Sequence, residues 1–160
     1  MPERIYWDSM TFNYRIAGTH ADIAILKDVS ERAQRGEIEL LTSAFTLCEV
    51  AKVEPEGETL PPEEQERRID EFFRNPYIIL VQVDRRVGRL ARDIIRRYSP
   101  IKGKDAIHIA SAIIADATVM QTYDGDVLKK NGKIGNPPLR IEKPTWKGKQ
   151  PPLIQDEAQD

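Results

Sequence analysis

One cysteine and two histidines stand among the 160 residues, and that scarcity removes several chemistries at once. Cys48 can close no disulfide within the chain, and no multi-cysteine zinc site can be assembled around it. A single thiol suits a reducing compartment. With no histidine near it in sequence, Cys48 reads as a small buried side chain and not as a nucleophile. Long apolar runs are also missing. No stretch of 18 apolar residues could span a bilayer, and the start MPERIYWDSM lacks the basic and then apolar pattern of a secretory signal. The expected location is the cytoplasm, with no membrane contact. Neither glycine-rich phosphate loop occurs, which excludes a dinucleotide fold and a P-loop. Asp124-Gly125-Asp126 begins like a calcium loop, but the positions that need glycine and glutamate hold Lys129 and Gly135. Charge of one sign is not in excess either: 24 Lys and Arg face 26 Asp and Glu, a net −2. Binding a polyanion therefore requires the basic residues to gather on one face.

What is present is the length of one domain and an apolar pattern that keeps changing period. Ile5-Tyr6-Trp7 is a short β-prone run ending at Asp8. A helix is expected from about His20 to Arg35, stopped by Gly36. A strand over Ile38–Thr42 follows, then a short helix through Leu47, Cys48, Val50 and Ala51 with Ser43 as its N-cap. Glu54 to Pro62 reads as a loop, and Pro61-Pro62 open a helix over Glu63–Arg74. Tyr77–Val83 is rich in β-branched residues and reads as a strand covered on both faces. Behind Asp84 the residues Val87, Leu90, Ala91, Ile94, Ile95 and Tyr98 form one helical stripe. Lys104-Asp105 open a further helix to Ala115, Thr118–Thr122 reads as a strand, and Asp124-Gly125-Asp126 turns into a brief helix. A late strand is expected near Leu139–Glu142. Residues 1–143 form the expected domain, and 144–160 a proline-rich, loosely ordered tail. Strands alternating with helices predict a parallel sheet with helices on both faces.

Folds of this kind bind ligands at the carboxyl ends of their strands. Asp8 ends the first strand, Glu49 lies near the start of the helix after the second, Asp105 starts a helix, and Asp124 follows the late strand. These four acids can converge on one sheet edge. Gathered carboxylates repel, so a cluster is kept mainly where a cation neutralises it or where shifted protonation is useful. Oxygen donors without clustered Cys or His favour Mg²⁺ or Mn²⁺ over zinc. Ions of this kind promote attack of water on a phosphodiester. The plainer account is that the acids are helix caps and surface charges.

Four segments in order sharpen the choice: Tyr6-Trp7-Asp8-Ser9; Leu41-Thr42-Ser43 with Leu47-Cys48-Glu49-Val50; Lys104-Asp105-Ala106-Ile107-His108-Ile109-Ala110-Ser111-Ala112; and Gln121-Thr122-Tyr123-Asp124-Gly125-Asp126. Together, over residues 4 to 130, they resemble the PIN-domain ribonucleases, and within them the single-domain VapC-type toxins of toxin–antitoxin pairs. The resemblance implies a three-layer α/β/α sandwich with a parallel central sheet and a Mg²⁺- or Mn²⁺-dependent endoribonuclease site. It carries the family's four acids onto Asp8, Glu49, Asp105 and Asp124, and an additional acid onto Asp126. Asp8, Asp105, Asp124 and Asp126 are then the metal ligands, with Glu49 orienting the ion or its water. Ser9 and Thr122 match supporting hydroxyl positions. Family members often carry an aromatic residue where this chain has Val127, which reads as a core substitution.

His108, three residues after Asp105, could touch substrate or metal, or be a hydrogen-bonded structural residue. Arg85, Arg86, Arg89, Arg92, Arg96 and Arg97 lie opposite the apolar stripe of their helix, as a solvated face or a phosphate track. Lys102 and Lys104, directly before Asp105, are the better candidates for RNA contact. The expected partners are RNA, a cognate antitoxin and a second copy of the chain, with Phe72-Phe73 part of a dimer interface. Two other functions stay open: a PIN-fold binding or scaffold protein without turnover, and a metal-dependent nuclease of DNA or of RNA maturation.

Overall fold

Apolar side chains that alternate along short strands give the sheet two buried faces, and each face collects its own set of helices. The computed structural model describes residues 1–55 and 57–146. Its strands are β1 (Glu3–Trp7), β2 (Ile38–Ser43), β3 (Ile78–Val81), β4 (Val119–Gln121) and β5 (Ile141–Glu142), all parallel, in the order β3-β2-β1-β4-β5. Ile5, Trp7, Leu40 and Val119 join one core cluster with α1 (Ser9–Ala17), α2 (Ile23–Gln34) and α4 (Pro62–Phe73) through Phe12, Leu26, Val29 and Ile69. Tyr6, Leu41 and Met120 point the other way. They meet α5 (Arg85–Arg97) and α6 (Gly103–Ile114) through Val87, Ala91, Ile94 and Ile109. The result is the expected three-layer α/β/α arrangement, with the parallel sheet in the middle.

The strand order fixes where a site can form. From β1 the chain crosses to β2 on one side, while β4 returns to β1 on the other, with Trp7 in register with Gln121. The order reverses between β1 and β4, and the crevice beyond their carboxyl ends is the ligand position of such sheets.

Several expectations are corrected. The strand Tyr77–Val83 shortens to β3, an edge strand with Ile79 and Val83 exposed, so it is not covered on both faces. Helix α1 was not expected. Its sequence SMTFNYRIA buries only Thr11 and Phe12, which leaves almost no apolar stripe to read. What defines it are its ends: Asp8 caps the start, and Gly18, at φ 78°, ends it in the left-handed region that glycine adopts without strain. Helix α2 begins at Ile23 and not at His20, because His20 to Asp22 form a turn closed by the Asp22 N–H on His20 Nδ1. Helix α3 is only Thr46–Glu49; Val50 and Ala51 lie beyond it, and Ser43 ends β2 with its Oγ accepting from the Phe45 N–H. Glu49 is therefore the last residue of its helix. Cys48 is exposed and not buried, since α3 is a surface turn.

Other readings hold in detail. Asp84 caps α5 by accepting from the Val87 N–H at 3.0 Å. Val127 on α7 (Gly125–Leu128) is buried, as a core residue should be. Phe72 and Phe73 are half-buried and pack on Phe12 within the chain, at centroid distances of 6.0 and 5.2 Å. Most of the expected tail lies outside the described residues. Among those described, no helix is long and apolar enough to cross a membrane.

Candidate active site

Buried hydrogen bonds tie the carboxyl ends of β1, β2 and β4 together. Trp7 donates from Nε1 to Gln121 Oε1 at 2.7 Å, and Thr42 donates to the Trp7 carbonyl at 2.7 Å. Asp8, directly after Trp7, is 6 % exposed. Its Oδ1 accepts from the Thr11 N–H and hydroxyl, which caps α1, and its Oδ2 accepts from the Thr122 hydroxyl at 2.5 Å. Thr122 in turn accepts from the Asp124 N–H. The supporting role expected of Thr122 thus has a structural basis: one hydroxyl fixes the first and fourth acids relative to each other. Asp124 caps α7, with Oδ1 accepting from the Asp126 and Val127 N–H groups.

Asp105 sits in the first turn of α6 and is half-buried. Burial raises its carboxyl above the ordinary carboxylate range, the negative charges of Asp124 and Asp8 push it further up, and Lys104 and His108 pull it back. Those mutual influences bring Asp8, Asp105 and Asp124 into one electrostatic field.

Glu49 reaches the same helix by another route. His108 is 1 % exposed, with Nε2 at 2.5 Å from Glu49 Oε1 and Nδ1 at 2.7 Å from the Tyr6 hydroxyl. One arrangement satisfies both bonds at neutral charge: the Tyr6 O–H donates to Nδ1, and Nε2–H donates to the carboxylate. Burial also holds the Tyr6 phenol well above its usual range, which keeps its proton in place for that bond. His108 is therefore hydrogen-bonded on both ring nitrogens, and it links α3 to α6. Sequence spacing placed His108 near Asp105 on α6; only the sheet brings Tyr6 and Glu49 to it.

The remaining candidates are peripheral. Asp126 is exposed, and its charge is not among those acting on Asp105. Ser9 opens α1 next to Asp8. Lys102 and Lys104 are exposed at the start of α6, and Lys104 is close enough for its charge to act on Asp105. The arginines of α5 are exposed, with Arg97 paired to Asp93.

All-oxygen donors of this kind fit Mg²⁺ or Mn²⁺ in chemistry. Among the described residues, however, no three His, Cys, Asp or Glu side chains already surround a common point closely enough to hold an ion. Asp8 uses both oxygens on hydroxyl and backbone donors, and Asp124 uses one on α7.

The sequence matches the family described as PIN domain over residues 14–133. The chain belongs to the PIN domain family. Its fold is similar to that of VapC20 of Mycobacterium tuberculosis, described as a Sarcin-Ricin loop cleaving toxin: TM-score 0.59, 13% identity, 77% of this chain and 92% of that one. It is similar as well to a chain of the DNA-bound VapBC of Salmonella typhimurium, with TM-score 0.61, 18% identity, and coverage of 91% and 100%. A third is VapBC2 of Rickettsia felis bound to a promoter DNA fragment, with TM-score 0.59, 16% identity, and coverage of 88% and 98%. No curated protein matches the sequence.

Proposed function

We propose that this chain is a Mg²⁺- or Mn²⁺-dependent endoribonuclease and the toxin of a toxin–antitoxin pair, acting in the cytoplasm. The observation that carries the reading is the Asp105 carboxyl, held up by Asp124 and Asp8 at the switch point of a parallel sheet. Three acids that oppose one another's ionisation across a polar crevice are an arrangement that a divalent cation relieves. The similarity in fold to VapC20, whose described activity is RNA cleavage, points the same way, as does the similarity to chains of VapBC complexes.

In this reading Asp8, Asp105 and Asp124 hold the cation, with Asp126 at its outer edge. The ion, when bound, makes water a better nucleophile and neutralises charge developing on the phosphate. Thr122 and Thr11 keep Asp8 from turning away, and Ser9 stands beside it. Glu49 has Oε1 committed to His108, which leaves Oε2 to accept a proton from the attacking water. Lys102 and Lys104 hold the RNA phosphates, which positions the strand without reading its bases. Attack in line leaves a 5′-phosphate and a 3′-hydroxyl. An antitoxin covers the site, and two copies of the chain associate.

Cleavage of total RNA by the purified chain in Mg²⁺, Mn²⁺ or EDTA, beside Asp8→Asn and Asp105→Asn, is the test. Discrete fragments that need the ion and vanish in both variants are expected. Full cleavage by Asp8→Asn overturns the site. The lack of a ready ion cage among the described residues favours a second reading, a binding protein with the fold but without turnover. For that protein, calorimetry finds no Mn²⁺ binding and no fragments form.

A further inference from the structure

Beside the carboxylates lies an aromatic group that the proposed reaction does not use. The Tyr14 and His20 rings stack with centroids 4.2 Å apart and planes at 27°. Tyr123 meets them at 5.3 Å and 4.8 Å, at steeper angles. Tyr123 is the residue between Thr122 and Asp124, so the group is joined to the site by a single peptide unit on either side. The charge of Asp8 reaches the Tyr123 phenol, which is held above its ordinary range chiefly by burial and by Asp22. Polar contacts fix the rings: the Tyr123 hydroxyl donates to Asp22 Oδ2 at 2.8 Å, and the Asp22 N–H donates to His20 Nδ1 at 2.9 Å.

Tyr14 and His20 border a cleft of about 330 Å³ whose other walls are Asn13, Ala17, Thr19 and Glu54. No lysine or arginine lines it. A carboxylate without a cation repels phosphate, so the cleft does not suit the backbone of a nucleic acid. Its polar groups are acceptors: the Glu54 carboxylate, and Asn13 Oδ1, since Asn13 Nδ2 already donates to the Lys52 carbonyl at 2.8 Å. Acceptors beside aromatic rings suit an unstacked base that carries an exocyclic amino group.

We propose that this cleft receives a nucleobase bearing an amino group, from the single strand whose phosphodiester lies at the carboxylates; the inference rests on the nuclease reading above. The base packs against Tyr14 and His20 and donates its amino hydrogens to Glu54. Adenine, cytosine and guanine qualify, and uracil does not. Lys102 and Lys104 then grip the backbone while this cleft selects a neighbouring nucleotide.

Binding in EDTA separates this inference from cleavage. Fluorescein-labelled C8 and U8 oligoribonucleotides, equal in charge and ring size, are titrated into the full chain and followed by anisotropy. C8 is expected to bind roughly tenfold tighter than U8, and Glu54→Gln to narrow that gap. Tyr14→Ala and His20→Ala are expected to weaken C8 binding roughly 5- to 100-fold. Equal affinities for C8 and U8, no binding at all, or folded variants that bind like the parent overturn the cleft. Should the variants not fold, the parent chain decides. It has two histidines, and His108 is buried, so the His20 ring protons are separable by NMR. A ring-current shift of those protons on adding C8 supports the cleft, and unmoved signals overturn it. The nuclease reading is judged apart from this, by fragments formed in Mg²⁺ or Mn²⁺.

Discussion

His108 holds Glu49: the imidazole Nε2 lies 2.5 Å from Oε1, while Nδ1 is anchored by the Tyr6 hydroxyl at 2.7 Å. A four-residue helix has little intrinsic rigidity, so the position of Glu49 at the end of α3 depends on this contact with α6. His108→Ala is expected to lower kcat roughly 10- to 100-fold, the usual cost of losing a group that orients a carboxylate at a metal site. KM should change little. His108→Gln, whose amide can still donate to Glu49, should recover part of the rate. Steady-state cleavage kinetics with melting curves of both variants separate positioning from loss of fold.

Thr122 works in the same way on the other side of the crevice. Thr122→Val keeps the shape but leaves Asp8 Oδ2 and the Asp124 N–H without their hydroxyl partner. A loss of about 1–3 kcal/mol in stability is expected, together with a fall in cleavage, and Thr122→Ser should retain both. Denaturant melts and cleavage rates check this.

Asp8→Asn divides two roles of one side chain. The amide oxygen can still cap α1 through the Thr11 N–H, so the melting temperature should change little. Activity should fall on the order of 100-fold or more, since the charge is lost.

The pH dependence of stability follows from Asp105, whose carboxyl is raised in the folded chain. A raised acid binds its proton more tightly folded than unfolded. Its contribution therefore favours folding at low pH and is lost as pH rises from the ordinary carboxylate range through the raised folded value. In EDTA, Asp105→Asn should melt at a higher temperature than the parent at pH 7, with the difference shrinking toward acid pH. Mn²⁺ at about 100 times its dissociation constant should stabilise the parent by roughly 2.7 kcal/mol. The variant should gain much less. Calorimetric melts across pH, with and without the ion, provide the measurement.

Lys104→Gln removes a charge that draws the Asp105 carboxyl down, so that carboxyl should titrate higher still. If Lys104 also holds a phosphate, the dependence of log affinity on log salt for single-stranded RNA should lose roughly 0.7 in slope. Oligonucleotide titrations at three salt concentrations check the second effect.

How far the sequence carries can be seen element by element. The stripe from Val87 to Ile94 and the cap at Asp84 identify α5, because an amphipathic helix writes its period and its start directly into the chain. Asp124-Gly125-Asp126 likewise announces its turn. Helix α1 escapes, because Phe12 and Thr11 alone face the core and only Asp8 and Gly18 mark its ends. The β-branched run before Asp84 does not reveal that β3 is an edge strand, since edge or centre is a matter of which neighbours arrive.

The sequence by itself determined the alternation of strands and helices and the acids at their boundaries, because both are local properties of period and capping. Only the tertiary structure decided which of those acids meet. Crossing from β2 on one side of β1 to β4 on the other sets Asp8 beside Thr122 and brings Tyr6, His108 and Glu49 into one buried chain. Those contacts span 114, 102 and 59 residues of sequence, and separations of that size leave no periodicity to read. They come from packing two faces of one sheet, where burial rewards only those polar groups that find a partner.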